Sequence, residues 1–127
     1  MNATARSVLI VDDNADTREM YASYFHDHGY ATFTANDGVE ALARARALGP
    51  DVIVLDLALP ELDGWELARR FRADPRTRAV RIVAVSGHAE LSARVRALSA
   101  GCDAFVAKPV TPADLLARVA GLPPRDC

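Results

Sequence analysis

Apolar residues in this chain recur in two periods that alternate. A continuous run, SVLIV (7–11), is followed by ADTREMYASYFHDHG, in which Met20, Tyr21, Tyr24 and Phe25 repeat at helical spacing. Asn14 is placed to cap that helix and Gly29 to end it. YATFTA (30–35) reads as a short alternating strand, and GVEALARARALG as a helix stopped by Gly49-Pro50. DVIVLD is the next strand, and WELARRFRAD the next helix, ended before Pro75. VRIVAVS is a strand, and AELSARVRALSAG a helix with Leu91, Val95 and Leu98 on one face. DAFVAK is the fifth strand. TPADLLARVAGL is the fifth helix, with Thr111 as N-cap, Pro112 at its first position and Asp114 at its third.

Strand and helix thus alternate five times. Strands that are apolar on both faces predict an α/β fold, a five-stranded parallel sheet with five helices covering both faces. Crossovers are expected to be right-handed. Residues 1–122 read as one domain, and 123–127 as a disordered C-terminal tail.

Composition fits this picture. Of 127 residues, 50% are hydrophobic and 25% charged, enough apolar material for a packed core and too much for a disordered chain. No apolar run is long enough to span a bilayer. MNATARSVLIVDD carries no signal-peptide core, so a cytoplasmic location is expected. The net charge of −2 gives no global attraction to nucleic acid. The one basic stretch, ARRFRADPRTRAVR, holds Arg69, Arg70, Arg72, Arg76, Arg78 and Arg81 and reads as a solvated helix end and loop. Two cysteines do not make a disulfide framework: Cys102 reads as a small core residue, and Cys127 as a mobile thiol at the end of the chain.

In open parallel sheets, ligands bind outside the carboxyl ends of the strands. Asp12 and Asp13 follow strand 1 directly, Asp56 ends strand 3, Ser86 ends strand 4, and Lys108, followed by Pro109, ends strand 5. Strand 2 ends in an ordinary turn, Asn36-Asp37-Gly38. Singly, each polar residue has a plain explanation as a cap, a turn or a strand end. Together they put three carboxylates, an ammonium and a hydroxyl at one edge. Three carboxylates in one pocket repel, and a divalent cation relieves the repulsion. Hard oxygen donors without a His or Cys set point to magnesium, with manganese as the alternative. Such a cation, Lys108 and Ser86 would stabilise charge on a phosphoryl group attacked in line by Asp56.

These residues, as VDD (11–13), Asp56, Pro60, Asp63 and Gly64 within DLALPELDG, VS (85–86) and KP (108–109), resemble the receiver domain of two-component response regulators, of the chemotaxis-regulator-like kind. The resemblance runs from about Ser7 to about Leu122. It implies the flavodoxin-like strand order 2-1-3-4-5. It also implies Asp56 as phosphoacceptor, Asp13 as a direct magnesium ligand, Asp12 as an acid acting mostly through water, and the backbone carbonyl of Ala58 as a further ligand. Lys108 would pair with the phosphoryl group, Ser86 would swing to hydrogen-bond it, and Phe105 matches the aromatic that turns inward when Ser86 moves. The Lys108-Pro109 bond resembles the family's cis peptide. Leu59 stands where many receivers have Met. Ala58 and His88 occupy the positions that tune phosphoryl lifetime, and Phe105 lacks the hydroxyl of a Tyr. His26 and His28 fit a helix end, where they meet the dipole, and Trp65 fits packing.

The expected function is a phosphorylation-controlled signalling switch. It takes a phosphoryl group from a histidine kinase or phosphotransfer protein and shifts its helix 4, strand 5 and helix 5 face for an unidentified protein target. As a switch it is not an enzyme beyond assisting its own phosphorylation and dephosphorylation. Direct nucleic-acid or membrane binding is not expected, and the chain is expected as a monomer or a phosphorylation-dependent dimer. It would be a free-standing receiver or a piece of a larger protein. One alternative is an unphosphorylated pseudo-receiver used as a binding module. The other is a magnesium-dependent phosphohydrolase with an aspartyl nucleophile, similar to the haloacid dehalogenase-like family, although Ala58 stands where those enzymes place a second Asp.

Overall fold

The computed structural model describes residues 6–59, 63–87 and 91–123. Pro60, His88, Cys127 and all of the expected tail except Pro123 lie outside the described residues. The elements are β1 (Ser7–Val11), α1 (Ala15–Asp27), β2 (Ala31–Ala35), α2 (Gly38–Leu48), β3 (Val52–Asp56), α3 (Gly64–Ala73), β4 (Arg81–Ser86), α4 (Leu91–Ser99), β5 (Ala104–Ala107) and α5 (Pro112–Ala120). Four helices begin on a side-chain cap: Asn14, Asp37, Asp63 and Thr111 each accept the backbone N–H three residues on.

All neighbouring strands pair in parallel, in the order β2-β1-β3-β4-β5. Because successive side chains leave a strand on opposite faces, each apolar run feeds two cores. Leu9, Val11, Ile53, Leu55, Ile82 and Ala84 join Leu67 and Phe71 of α3 in one layer. Val8, Ile10, Val52, Val54, Val83 and Val85 meet Tyr21 and Phe25 of α1 and Leu115 and Val119 of α5 in the other. Burying each such side chain contributes roughly 1.5–3 kcal/mol.

Register decides what the carboxyl edge presents. Val11 pairs with Leu55, Asp56 with Val85, and Ser86 with Ala107. Asp12, the residue after Val11, therefore emerges level with Asp56, and Lys108 one step beyond Ser86.

Three readings of the sequence change. In α1 Tyr21 and Phe25 are buried in the core; Met20 is exposed, and the half-buried Tyr24 stacks on His28 with ring centroids 4.3 Å apart. In α4 the core face belongs to Ala93 and Ala97, continued by Ala100, whereas Val95 and Leu98 are 51% and 48% exposed. Two stripes at helical spacing competed there, and the small one won because alanines let the helix lie close against the sheet.

The third change concerns the basic stretch. Arg69, Arg70, Arg76 and Arg78 are exposed, but Arg72 turns inward. Its Nη2 pairs with Asp103 Oδ2 at 2.9 Å, Nε donates to Gly101 O at 2.9 Å, and Nη1 donates to the carbonyls of Arg78 and Val80. Asp103 Oδ2 also accepts Ile82 N–H at 2.7 Å. Arg72 thus ties the end of α3 to the start of β4 and to the loop before β5.

Candidate functional site

The site begins with two buried acids at strand ends. Asp12 and Asp56 are each only 4% exposed. Asp13, next along from β1, is exposed. Carboxylate oxygens of Asp12, Asp13 and Asp56 all lie within 4.8 Å of one another. Each buried acid is held in place. Asp12 Oδ1 accepts Asn14 N–H at 2.9 Å, and its backbone carbonyl accepts Arg18 Nη1 at 2.8 Å. Asp56 Oδ1 accepts Ala58 N–H at 3.0 Å, and Oδ2 accepts Lys108 Nζ at 3.1 Å.

Lys108 reaches Asp56 across the end of β4. Its backbone N–H donates to Ser86 O at 2.7 Å, fixing the ends of β4 and β5 together. Ser86 is itself buried. The Lys108-Pro109 peptide is cis. Tyr21 Oη donates to Val110 O at 3.1 Å, which fastens the following loop to α1. Phe105 is 2% exposed, in the inward arrangement, with the Arg94 guanidinium carbon 5.2 Å from its ring centroid.

Gly64 sets the loop after Asp56. Its N–H donates to Leu57 O at 3.2 Å. A Cβ there would lie 2.6 Å from Leu57 Cα, so only glycine lets α3 start this close to β3. The Asp63-Gly64 pair therefore combines a helix cap with a close backbone approach.

The electrostatics follow from burial. Removal from water pushes the Asp12 carboxyl above its ordinary value, and the charges of Asp56 and Asp13 push the same way against the Asn14 N–H and Lys108. Burial alone would lower Lys108, but its hydrogen bond to Asp56 and the charges of Asp56 and Asp12 outweigh that and raise it. One ammonium balances one of three clustered carboxylates, leaving excess negative charge in a partly dry pocket. An all-oxygen donor set with excess charge fits a hard divalent cation.

The structure brings together Asp12, Asp13, Asp56 and Lys108, with Ser86 joined to Lys108 through the backbone. Sequence reasoning missed Arg18, Tyr21 and Arg94 as supports. The Asn14 cap was the available signal for Arg18: it fixes the phase of α1 and puts Arg18 one turn along, above the Asp12 carbonyl.

An order of 2-1-3-4-5 reverses direction between β1 and β3, and the acids stand at that switch point. The molecule is thus a flavodoxin-like α/β domain of the class that binds its ligand at the strand ends. The model of the response regulator receiver domain matches residues 8–120, and the chain belongs to that family. It is 33% identical over 106 residues to the polar-differentiation response regulator DivK of Brucella anthropi, covering 84% of this chain and 86% of that one. It is 35% identical over 119 residues to the DNA-binding response regulator MtrA of Mycobacterium tuberculosis, covering 94% of this chain but 51% of MtrA. The chain thus spans about half the length of the MtrA regulators it matches. The chemotaxis response regulator CheY4 of Vibrio cholerae superposes with a TM-score of 0.87 at 30% identity, over 92% of this chain and 98% of that one. Domains of this family are signalling switches rather than enzymes in the ordinary sense. No helix among the described residues is long and apolar enough to cross a membrane.

Proposed function

We propose that Asp56 accepts a phosphoryl group from a phosphohistidine on a histidine kinase or phosphotransfer protein, in a magnesium-dependent reaction. The observation that carries the reading is the double hold on Asp56, by Ala58 N–H at 3.0 Å and Lys108 Nζ at 3.1 Å, beside Asp12 and Asp13. A carboxylate oxygen of Asp56 attacks phosphorus, the phosphorus–nitrogen bond breaks, and the imidazole leaves with the electron pair. Asp12, Asp13, Asp56 and the Ala58 carbonyl would hold magnesium, or manganese, which offsets charge on the phosphoryl oxygens. Lys108 transfers its ammonium from the Asp56 carboxylate to the phosphoryl group, so charge stays balanced through the step.

The output passes through Ser86. Its hydroxyl turns to a phosphoryl oxygen, Phe105, already buried, is held inward by the space this opens, and Arg94 over that ring carries the change to α4. The α4–β5–α5 face, with Val95 and Leu98 exposed, is the surface offered to the protein target or to a second copy in a phosphorylation-dependent dimer. A phosphoryl group adds roughly two negative charges, enough to shift two existing states. Ala58 and His88 set its lifetime, and the cytoplasm is the compartment that fits a kinase donor.

Incubation with acetyl phosphate and magnesium, read by intact mass, tests this. One phosphoryl group is expected, stable to acid, labile to alkali, and missing from Asp56→Asn. No adduct from any donor would favour the binding-module reading, and steady phosphate release from varied monoesters would favour a hydrolase.

A further inference from the structure

At the opposite edge of the sheet, the segment before β1, the α2–β3 turn and the α3–β4 loop enclose a cleft of about 460 Å³. That volume is in the range of small-ligand pockets. Arg6, Arg76 and Arg81 line it, against one acid, Asp51. Asp51 is already engaged: its Oδ2 accepts Ser7 N–H at 2.9 Å and Ser7 Oγ–H at 3.2 Å. Arg81 Nη1 meets only a backbone carbonyl, Leu122 O, at 3.3 Å, and Arg6 has no side-chain partner among the described residues. Arg76 pairs with Asp74 at 3.2 Å, but Asp74 also takes Arg46 at 2.7 Å and so does not neutralise Arg76 alone. A chain whose net charge is −2 thus places Arg6, Arg76 and Arg81 against one lining acid, Asp51, at the pole away from Asp12, Asp13 and Asp56.

We infer that this cleft binds a phosphorylated small molecule of nucleotide size. Guanidinium groups present paired N–H donors that match phosphate oxygens two at a time, and surplus arginines in a concave site are the usual complement of such an anion. Pro50, Pro75 and Val80 give the cleft stiff apolar walls, suited to the flat body of a base rather than to a bare inorganic ion. The site shares no residue with the Asp56 pocket, so ligand binding there does not depend on phosphoryl transfer.

Adenosine diphosphate, titrated in EDTA into the nitrogen-15-labelled protein, is the probe. EDTA removes the metal that would draw phosphate to the acidic edge. Saturable amide shifts are expected at Gly49, Asp51, Thr77, Ala79 and Arg81 and not at Asp12, Asp13 or Asp56. The double variant Arg6→Gln, Arg76→Gln alters two exposed side chains, and its amide spectrum reports its fold. It should bind at least tenfold more weakly, and adenosine without phosphates should give no shifts. No saturable shift, shifts confined to the Asp56 edge, unchanged affinity in the double variant, or equal binding of adenosine would each overturn the inference.

Discussion

Lys108 Nζ lies 3.1 Å from Asp56 Oδ2, a contact between residues 52 positions apart that spans the end of β4. Lys108 is 37% exposed while Asp56 is buried, so solvent screens the pair from one side and its contribution to stability is on the order of 1 kcal/mol. If the proposed phosphoryl transfer holds, the contact serves chemistry more than stability. Lys108→Gln is expected to keep the urea midpoint nearly unchanged while slowing phosphorylation by acetyl phosphate roughly a hundredfold. A stopped-time mass assay on the two proteins compares the rates; equal rates would remove Lys108 from the reaction.

The carboxylate cluster makes a separate prediction about cations. Asp12, Asp13 and Asp56 repel in the folded state, and a cation that binds them only there stabilises that state. At a hundred times its dissociation constant the gain is about 2.7 kcal/mol, so Tm should rise by several degrees on adding magnesium. Asp13→Asn should lose most of that rise, and calorimetry with and without EDTA measures it. The same rise in both proteins would show that the cluster does not bind the cation.

Gly64 should not tolerate a side chain. A methyl group there meets Leu57 Cα at 2.6 Å, and backbone cannot give way as a flexible side chain does. Gly64→Ala is expected to lose about 1–3 kcal/mol and, by moving Leu57, to disturb the neighbouring Asp56 and slow its phosphorylation. Urea unfolding and the mass assay on one sample read both effects. A variant with wild-type stability would mean that α3 shifts freely.

Arg72 is a structural tie. Arg72→Ala removes the guanidinium from Asp103, which keeps the Ile82 N–H, and frees carbonyls at Gly101, Arg78 and Val80; breaking so buried a pair costs on the order of 3 kcal/mol. Arg70→Ala, one of the exposed arginines of the same helix, should stay within about 0.5 kcal/mol. Similar losses from both in urea unfolding would contradict the assignment.

Cys102 should be silent to thiol reagents while the protein is folded. Burial pushes its thiol up to about 12, from an ordinary value of 9.0. Between those values the unfolded chain gives up the proton and the folded one keeps it, so stability falls as pH rises from about 9 towards 12. Ellman's reagent at pH 8 should leave Cys102 unmodified until urea unfolds the protein, in a Cys127→Ser background. Fast labelling under native conditions would show an open site.

The sequence made the strands and their polar ends legible because each acid, Ser86 and Lys108 follows its apolar run directly. Parallel pairing was legible for the same reason, but strand order came only with the family resemblance; pairing partners leave no local mark. The α4 face was misread because Val95 and Leu98 outweigh Ala93 and Ala97 on any hydrophobic count, whereas close approach to the sheet rewards small side chains. In sequence Arg72 looks like the five arginines around it, since its partners, Gly101 and Asp103, lie 29 and 31 residues away. Arg18 is different: it was reachable from the cap at Asn14.

The most direct test of the account is to locate the phosphoryl group. Protein treated with acetyl phosphate and magnesium is reduced with borohydride, which converts an aspartyl phosphate to homoserine, and then digested and mapped by mass. Homoserine at position 56, absent when acetyl phosphate is omitted, is the predicted result. Homoserine at 12 or 13 instead, or phosphate carried as a stable ester elsewhere, would contradict it.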